Sequence, residues 1–405
     1  MVEEIKLAEG YKQTEVGVIP NDWIEDALGS VISMLTDFTA NGSFASLAQN
    51  VKYLDKPSYA RLVRLTDIRV SFKNDGIYIS KDAYEFLSKS KLFGNELLLA
   101  NVGAYTGYSF LYPNNLPFKG SLGPNMFLIK FNENKIDPQY AFYCFINSII
   151  LNQLLAKAAS SAQPKLNKQN VRECIIFYPP TRTEQTAIAT ALSDTDSLIE
   201  GLEKLLVKKR NIKQGVMQEL LKPKEGWETK KLDEVFEITA GGDFKKEFSS
   251  DKKDERYPYP IYSNSLSKNG LYGYCSYYTN ESNSITITAR GTIGYACYRN
   301  QKFVAIGRLL ILKPKIDVNC FYFSEYINKR IEFVLETTGV PQLTAPQVSQ
   351  YKISYPKDKS IQNHIAKILS NMDTEIEKLE TQLTKYKMLK TGMMQELLTG
   401  KKRLL

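Results

Sequence analysis

Residues 166–221 read LNKQNVRECIIFYPPTRTEQTAIATALSDTDSLIEGLEKLLVKKRNIKQGVMQELL. They return as LTAPQVSQYKISYPKDKSIQNHIAKILSNMDTEIEKLETQLTKYKMLKTGMMQELL at residues 343–398. The offset is a constant 177 positions, and 24 of the 56 ungapped positions are identical. A chain that carries one long unit twice builds a molecule with internal pseudo-symmetry. Each copy has two parts. The first, 171–180 and 348–357, reads as a strand closed by proline, because the residue before a proline is pushed to extended geometry. The second reads as a helix. Ile365, Leu369, Met372, Ile376, Leu379, Leu383 and Tyr386 step by 4, 3, 4, 3, 4, 3, and Ile188, Leu192, Thr195, Ile199, Leu202, Leu206 and Lys209 repeat those steps. That is the heptad seam of coiled-coil packing, with Glu, Lys and Asp filling the outward positions.

A helix of about 40 residues is about 60 Å long at 1.5 Å per residue. With an apolar stripe only one seam wide, it needs a partner to be stable in water. The two copies therefore predict an antiparallel pair, with Ile188, Leu192, Ile199, Leu202 and Leu206 facing Ile365, Leu369, Met372, Ile376, Leu379 and Leu383. Because residues 226–356 intervene between the copies, a globular domain is expected at each end of the pair. The predicted order is a first domain over 1–180 with an N-terminal extension 1–22, a helix over 181–225, a second domain over 226–357, and a helix with tail over 358–405.

The globular parts repeat more weakly. Trp23, Leu28 and Val31 recur as Trp227, Leu232 and Val235. The turn Gly103–Gly107 parallels Gly291–Gly294, each after an apolar strand, and Val102 stands where the second copy has Arg290. Ile136-Asp137 and Ile316-Asp317 then open similar aromatic-rich helices. From Trp23 to Leu166 is 143 positions, against 116 from Trp227 to Leu343, so the loops differ more than the frame. Short strands separated by Gly, Asn and Tyr turns, followed by a helix, read as α+β.

At 405 residues with 43% hydrophobic and 24% charged residues, the composition is that of a soluble multidomain protein. Five cysteines (Cys144, Cys174, Cys275, Cys297, Cys320) are scattered without a CxxC, which suggests neither a disulfide framework nor a zinc site and fits a reducing cytoplasm. The acidic, polar N-terminus is unlike a signal peptide, and the apolar run Phe145–Leu155 is too short to span a bilayer. The net charge of +9 is spread over every segment, so it permits nucleic-acid binding without a basic tail.

With both copies in view, the chain resembles the specificity subunit of type I restriction–modification systems. The residues that carry the resemblance are the entry Tyr11–Trp23, the run Arg64–Ile68, the Gly turns after the apolar strands, and the stretch from Pro179–Gln185 through the long helix to MQELL. The resemblance implies two target-recognition domains, each reading half of a split double-stranded DNA target, and a helix pair acting as a ruler between half-sites. It implies a chain with no catalytic residues and no cofactor of its own. Its partners would be two modification subunits carrying S-adenosylmethionine and restriction subunits using ATP and Mg. The residues agree on their own terms, since about 60 Å of helix compares with about 18 base pairs.

Several motifs imitate chemistry that the residues do not support. Tyr178-Pro179-Pro180-Thr181 has Tyr where an amino-methyltransferase loop needs an amide or carboxylate before its proline pair, and Thr where it needs an aromatic after it. No F-x-G-x-G cofactor loop and no GxxxxGK[ST] phosphate loop is present. The single histidine, His364, sits near a helix start where the other copy has Ala187, and it reads as a surface residue. For reading DNA the right chemistry is Arg, Lys, Asn and Gln, with Tyr adding surface and hydroxyls. The candidates in the first domain are Arg64, Lys73, Asn74, Tyr105, Tyr108 and Lys119, with Gln163 and Lys165 in the loop before the repeat. In the second they are Tyr262, Asn264, Lys268, Asn269, Arg290 and Arg308, with Gln342 in its corresponding loop. The rival class is a pseudo-symmetric coiled-coil adaptor that organises protein partners without reading DNA. A third possibility is a recognition subunit serving a methyltransferase that has no restriction partner.

Overall fold

The computed structural model describes residues 9–14, 17–158, 164–334 and 341–404. They form two compact units, Met1–Gly201 with Leu383–Leu405, and Leu202–Gln382. The boundaries thus fall inside both long helices, Arg182–Leu220 and Lys359–Leu397, each 39 residues. Each unit is a globular domain plus half of a helix pair.

The first unit is built on two four-stranded sheets. One runs Ile32–Asp37, Met126–Phe131, Leu97–Ala100, Ser109–Leu111, all antiparallel. The other runs Tyr78–Ile79, Ala60–Val63, Lys119–Leu122, Lys91–Leu92, with its central pair parallel. The parallel pair requires a long crossover, which here carries the intervening strands of both sheets. Leu97–Ala100 is buried on both faces, which is why it is apolar throughout rather than alternating. The second unit repeats the scheme with Phe236–Ala240, Leu310–Pro314, Ser284–Ile287 and Ala296–Arg299. Its second sheet runs Ser249–Ser250, Leu271–Cys275, Tyr259–Tyr262, Val304–Ala305; its one parallel pair, Tyr259–Tyr262 beside Val304–Ala305, lies at an edge, and its central pair is antiparallel. Both units are α+β.

The repeated prolines end short strands, as expected, but those strands are shorter than the sequence suggests. Ile175–Tyr178 pairs with Ile24–Ala27, and Lys352–Tyr355 with Glu228–Lys231. Val171 and Val348, placed in strands by the sequence reading, lie in the one-turn helices Lys168–Arg172 and Ala345–Ser349. Those helices are capped by Asn167 and Thr344, whose capping boxes satisfy the first amides locally. The aromatic helices also begin slightly differently from expectation. Their N-caps are Asp137 and Asn319, so Asp317 is not the counterpart of Asp137.

The long helices form an antiparallel coiled coil, and the ion pairs give its direction. In the first unit Lys390 reaches Asp196 at 2.5 Å; in the second Lys213 reaches Asp373 at 2.6 Å. Lys213 and Lys390 are repeat equivalents, as are Asp196 and Asp373, so each copy's lysine holds the other copy's aspartate. A third group completes each site from the globular domain: the Tyr143 hydroxyl donates to Asp196, and Glu325 lies 3.4 Å from Lys213. The apolar seam departs from its expected form at both ends. Ile188 and Leu192 are buried in the core of the first domain with Tyr140, Ile176 and Leu397, and Ile365 and Leu369 in that of the second with Tyr322, Ile353 and Met217. Only the middle is a bare helix-to-helix seam. There Leu206 is buried, while Ile199, Leu202, Met372, Ile376, Leu379 and Leu383 are half-buried.

One buried glutamine locks each long helix to its domain. Gln185 Oε1 accepts the Asp137 amide at 2.8 Å, and its Nε2 donates to the carbonyls of Lys135 and Pro179. Gln362, its repeat equivalent, accepts the Asn319 amide at 3.0 Å and donates to the Pro356 carbonyl. The tail adds a clamp in the first unit. Arg403 pairs with Glu184 and with Asp22, and Gly400 packs so tightly on Pro20 that a Cβ would lie 2.4 Å from it. No single described helix is long and apolar enough to cross a membrane; only the bent pair Pro138–Ile146 and Ser148–Ala158 has the composition, and both helices contribute to the first domain's core.

Candidate nucleic-acid interface

In the second unit, five loops are tied into one contiguous edge by backbone and side-chain hydrogen bonds. Gly241 donates to the Leu309 carbonyl, and Arg308 and Gly307 donate to those of Gly241 and Gly242. Asn264 is the keystone: its Nδ2 donates to the Gly307 carbonyl and its Oδ1 accepts the Ala289 amide at 2.7 Å. Leu343 donates to the Ala289 carbonyl, and Arg290 donates twice to Gln342 Oε1. The edge therefore brings together Asn264, Lys268, Asn269, Arg290, Arg308 and Gln342. Lys268 and Asn269 are consecutive left-handed residues at φ +49° and +53°, which turn the loop outward and expose both side chains.

The first unit has the same edge in a different loop dress. Gly123 donates to the Val63 carbonyl, Asn101 to that of Asn125, Gly103 to that of Pro164, and Leu166 to that of Asn101. Val102 and Lys165 form an isolated bridge where the second unit has Arg290 and Gln342. Arg64, Tyr105, Tyr108 and Lys165 stand on these joined turns, with Tyr105 43% and Tyr108 37% exposed. Arg69 lies 3.8 Å over the Tyr105 ring, fastening the Leu65–Arg69 helix to the glycine turn. Below the turns opens a cleft of 960 Å³, lined in part by Phe44, Tyr53, Asn101, Asn125 and Lys165.

Not every sequence candidate belongs to an edge. Asn74 is committed to structure, accepting from Arg61 at 2.7 Å and donating to Asp67 at 2.8 Å. Lys119 lies at the far end of its strand from the turn at Gly123, and its ammonium donates to the Tyr59 hydroxyl at 2.7 Å. Tyr262 is only 9% exposed and lies beneath a guanidinium. Asn264 spends both ends of its amide on backbone, so it shapes the edge rather than facing solvent freely. Lys73 is exposed on the loop that follows Phe72. Gln163 lies outside the described residues. The sequence reading missed Arg69, Asn125 and Arg299. Asn125 could have been found by matching strands, since it is left-handed at φ +65° where Arg308 is at +68°.

The electrostatics of both edges suit a polyanion. Among the described residues, none of Lys73, Lys165, Lys268, Arg290 and Arg308 has a carboxylate within ion-pair distance, whereas the lysines and arginines of the helix pair commonly do. Asp67 shows how acids are kept from the first edge. Burial pushes its carboxyl up, but hydrogen bonds from Arg61, the Arg64 amide and Asn74 outweigh that and hold it below the ordinary aspartate value. No group of three or more His, Cys, Asp or Glu side chains is placed to hold a metal among the described residues.

Known proteins resemble this chain in sequence and in fold. The family model described as type I restriction modification DNA specificity domain matches twice, at residues 20–208 and 224–385. A putative type I specificity subunit of Mycoplasma pneumoniae is 30% identical over 275 residues, 67% of this chain and 73% of that protein. The putative type I restriction enzyme MjaX specificity subunit of Methanocaldococcus jannaschii is 26% identical over 429 residues, 98% of this chain and 97% of that one. The crystal structure of a type I restriction–modification S subunit from M. genitalium superposes with a TM-score of 0.66 at 17% identity, covering 97% of this chain and 98% of that one, a likeness of fold. Two family matches laid over two equivalent edges on one repeated frame make this chain a member of the type I restriction–modification specificity-subunit family.

Proposed function

We propose that this chain is the DNA-specificity subunit of a type I restriction–modification complex, and that its two loop edges each read one half of a bipartite double-stranded target. The observation that carries this reading is the pairing of a repeated frame with divergent edges. Equivalent turns hold Val102 and Lys165 in one unit and Arg290 and Gln342 in the other. A frame that stays constant while its edge residues change is what two different half-sites demand. The unpaired cations supply phosphate contacts, and the tyrosines and amides supply surface and hydrogen bonds.

The helix pair sets the spacing between half-sites and docks two modification subunits. Support for docking comes from apolar residues left outward on the helices at repeat-equivalent positions, Ile212 at 42% and Leu389 at 48% exposed. Equivalent patches imply equivalent partners, two per chain. The chain itself is non-catalytic in this reading. Methyl transfer to adenine from S-adenosylmethionine belongs to the modification subunits, and ATP- and Mg-driven cleavage to restriction subunits, all in the cytoplasm.

The test exchanges only residues 228–342 for those of a relative, expresses the chimera with its modification subunits, and maps methylated motifs genome-wide. One half of the motif should change while the other and the catalytic competence remain. A change in both halves, or in neither, overturns the reading, as does methylation by the purified chain with S-adenosylmethionine alone.

A further inference from the structure

Each unit buries one arginine in its globular domain, but only one of the two has a counter-charge. In the first, Arg61 is 3% exposed and donates at 2.8 Å to Asp67, itself fully buried. In the second, Arg299 is 5% exposed, and no carboxylate of the described residues lies within ion-pair distance of it. Its Nε donates to Thr286 Oγ1 at 2.9 Å, and its Cζ lies 3.6 Å from the centroid of the Tyr262 ring. A guanidinium keeps its charge even when buried, so the missing anion has a large energetic consequence.

The surroundings say what the missing group is. Arg299 lines a pocket of 270 Å³ whose other polar walls include Lys253, Lys268, Asn269, Asn300 and Gln301. Three cations and no acid line it. Gly270, at φ +84°, lets the turn pass close to the guanidinium: a Cβ there would lie 2.8 Å from the Ser263 carbonyl and 3.5 Å from Arg299 Nη2. Lys268 and Asn269 belong to the same turn as Asn264, so the pocket opens beside the edge described above.

We propose that this pocket is a built anion site that receives one phosphodiester of the DNA backbone, with Arg299 as its buried donor and Lys268 at its rim. The proposal rests on the reading of the chain as a DNA-specificity subunit and adds a residue that positions the duplex without reading sequence. A phosphate on Arg299 neutralises the guanidinium as Asp67 neutralises Arg61. The second domain thus completes its electrostatics only when DNA is bound.

The experiment measures binding of the chain in complex with its modification subunits to a target duplex and to a random duplex, as a function of salt. Wild-type binding to the target is the control for the DNA reading, and its absence would refute that reading rather than the pocket. Arg299→Gln should weaken binding to both duplexes alike and reduce the salt slope by about 0.9, the value for one lost phosphate contact. An unchanged slope with normal affinity makes Arg299 a structural residue and overturns the proposal. Weakening confined to the target duplex makes it a base reader and overturns it equally. Should Arg299→Gln fail to fold, Arg299→Lys decides: it keeps the charge but loses the fork, so affinity should drop on both duplexes with the slope retained. Unchanged affinity for that variant is the refuting result. Inorganic phosphate should also raise the wild-type chain's melting temperature more than that of the variant, which separates the pocket from duplex binding as a whole.

Discussion

Replacing Gln185 by Met tests whether the buried glutamines are what join each helix to its domain. The side chain is 1% exposed and makes three hydrogen bonds, to the Asp137 amide and the Lys135 and Pro179 carbonyls. Methionine fills nearly the same volume, so packing is preserved and the loss is polar. Each bond contributes about 1 kcal/mol net, and each buried group left without a partner costs roughly 1–3 kcal/mol. With some relief by local water, Gln185→Met should cost about 4 kcal/mol. Gln362 makes two such bonds, so Gln362→Met should cost about 2.5 kcal/mol by the same reckoning. For units of this size 1 kcal/mol shifts Tm by about 2–4 °C, giving drops of about 12 and 8 °C. Calorimetry of the full chain with each variant reads both, and the two units should respond separately. A drop below about 3 °C for Gln185→Met, or a larger one for Gln362→Met, would refute the reasoning.

Three further outcomes follow from other contacts. Arg403→Ala strands the buried Glu184 carboxylate and should lower stability by about 2 kcal/mol. Adding Glu184→Ile, the residue type that Ile361 supplies in the other copy, should restore most of it, and a double-mutant cycle measures the coupling. Leu206→Asp should cost about 3 kcal/mol by removing a buried seam residue, whereas Leu205→Asp, on the exposed side, should cost little; equal urea midpoints would mean the seam faces elsewhere. Asp67 has a lowered carboxyl pKa, so the folded state binds fewer protons than the unfolded. Its contribution is complete above the ordinary value of 3.8 and is lost as pH falls through the lower folded value. Asp67→Asn should therefore flatten the acid limb of stability below about pH 4, which a pH series of urea melts checks.

The architecture was legible because it rests on period and repetition. A 4–3 stepping carried over seven positions in two copies specifies long paired helices, since only a seam of that spacing can be buried along one line. The proline-closed strands, the glycine turns and the match of Val102 to Arg290 were legible for the same reason. What the sequence left open depends on neighbours distant in the chain. The outer ends of the seam, Ile188 and Leu192 or Ile365 and Leu369, turned out to be core residues of the domains, because a heptad stripe does not say which apolar surface covers it. Nor does the sequence show that Asn74 and Asn264 are engaged while Lys268 and Arg290 stand free of acids. Asn74 is bound to Arg61 and Asp67 only after the loop folds back, and Asn264 bridges Ala289 and Gly307 across three loops. The difference between Arg61 and Arg299 is of the same kind. Both are arginines in strands, and only the packed structure puts an aspartate beside one and leaves the other facing an acid-free pocket. Repetition and period determine which elements form; the partners of buried charges are settled by tertiary contact, because their energetic cost exists only once water has been excluded.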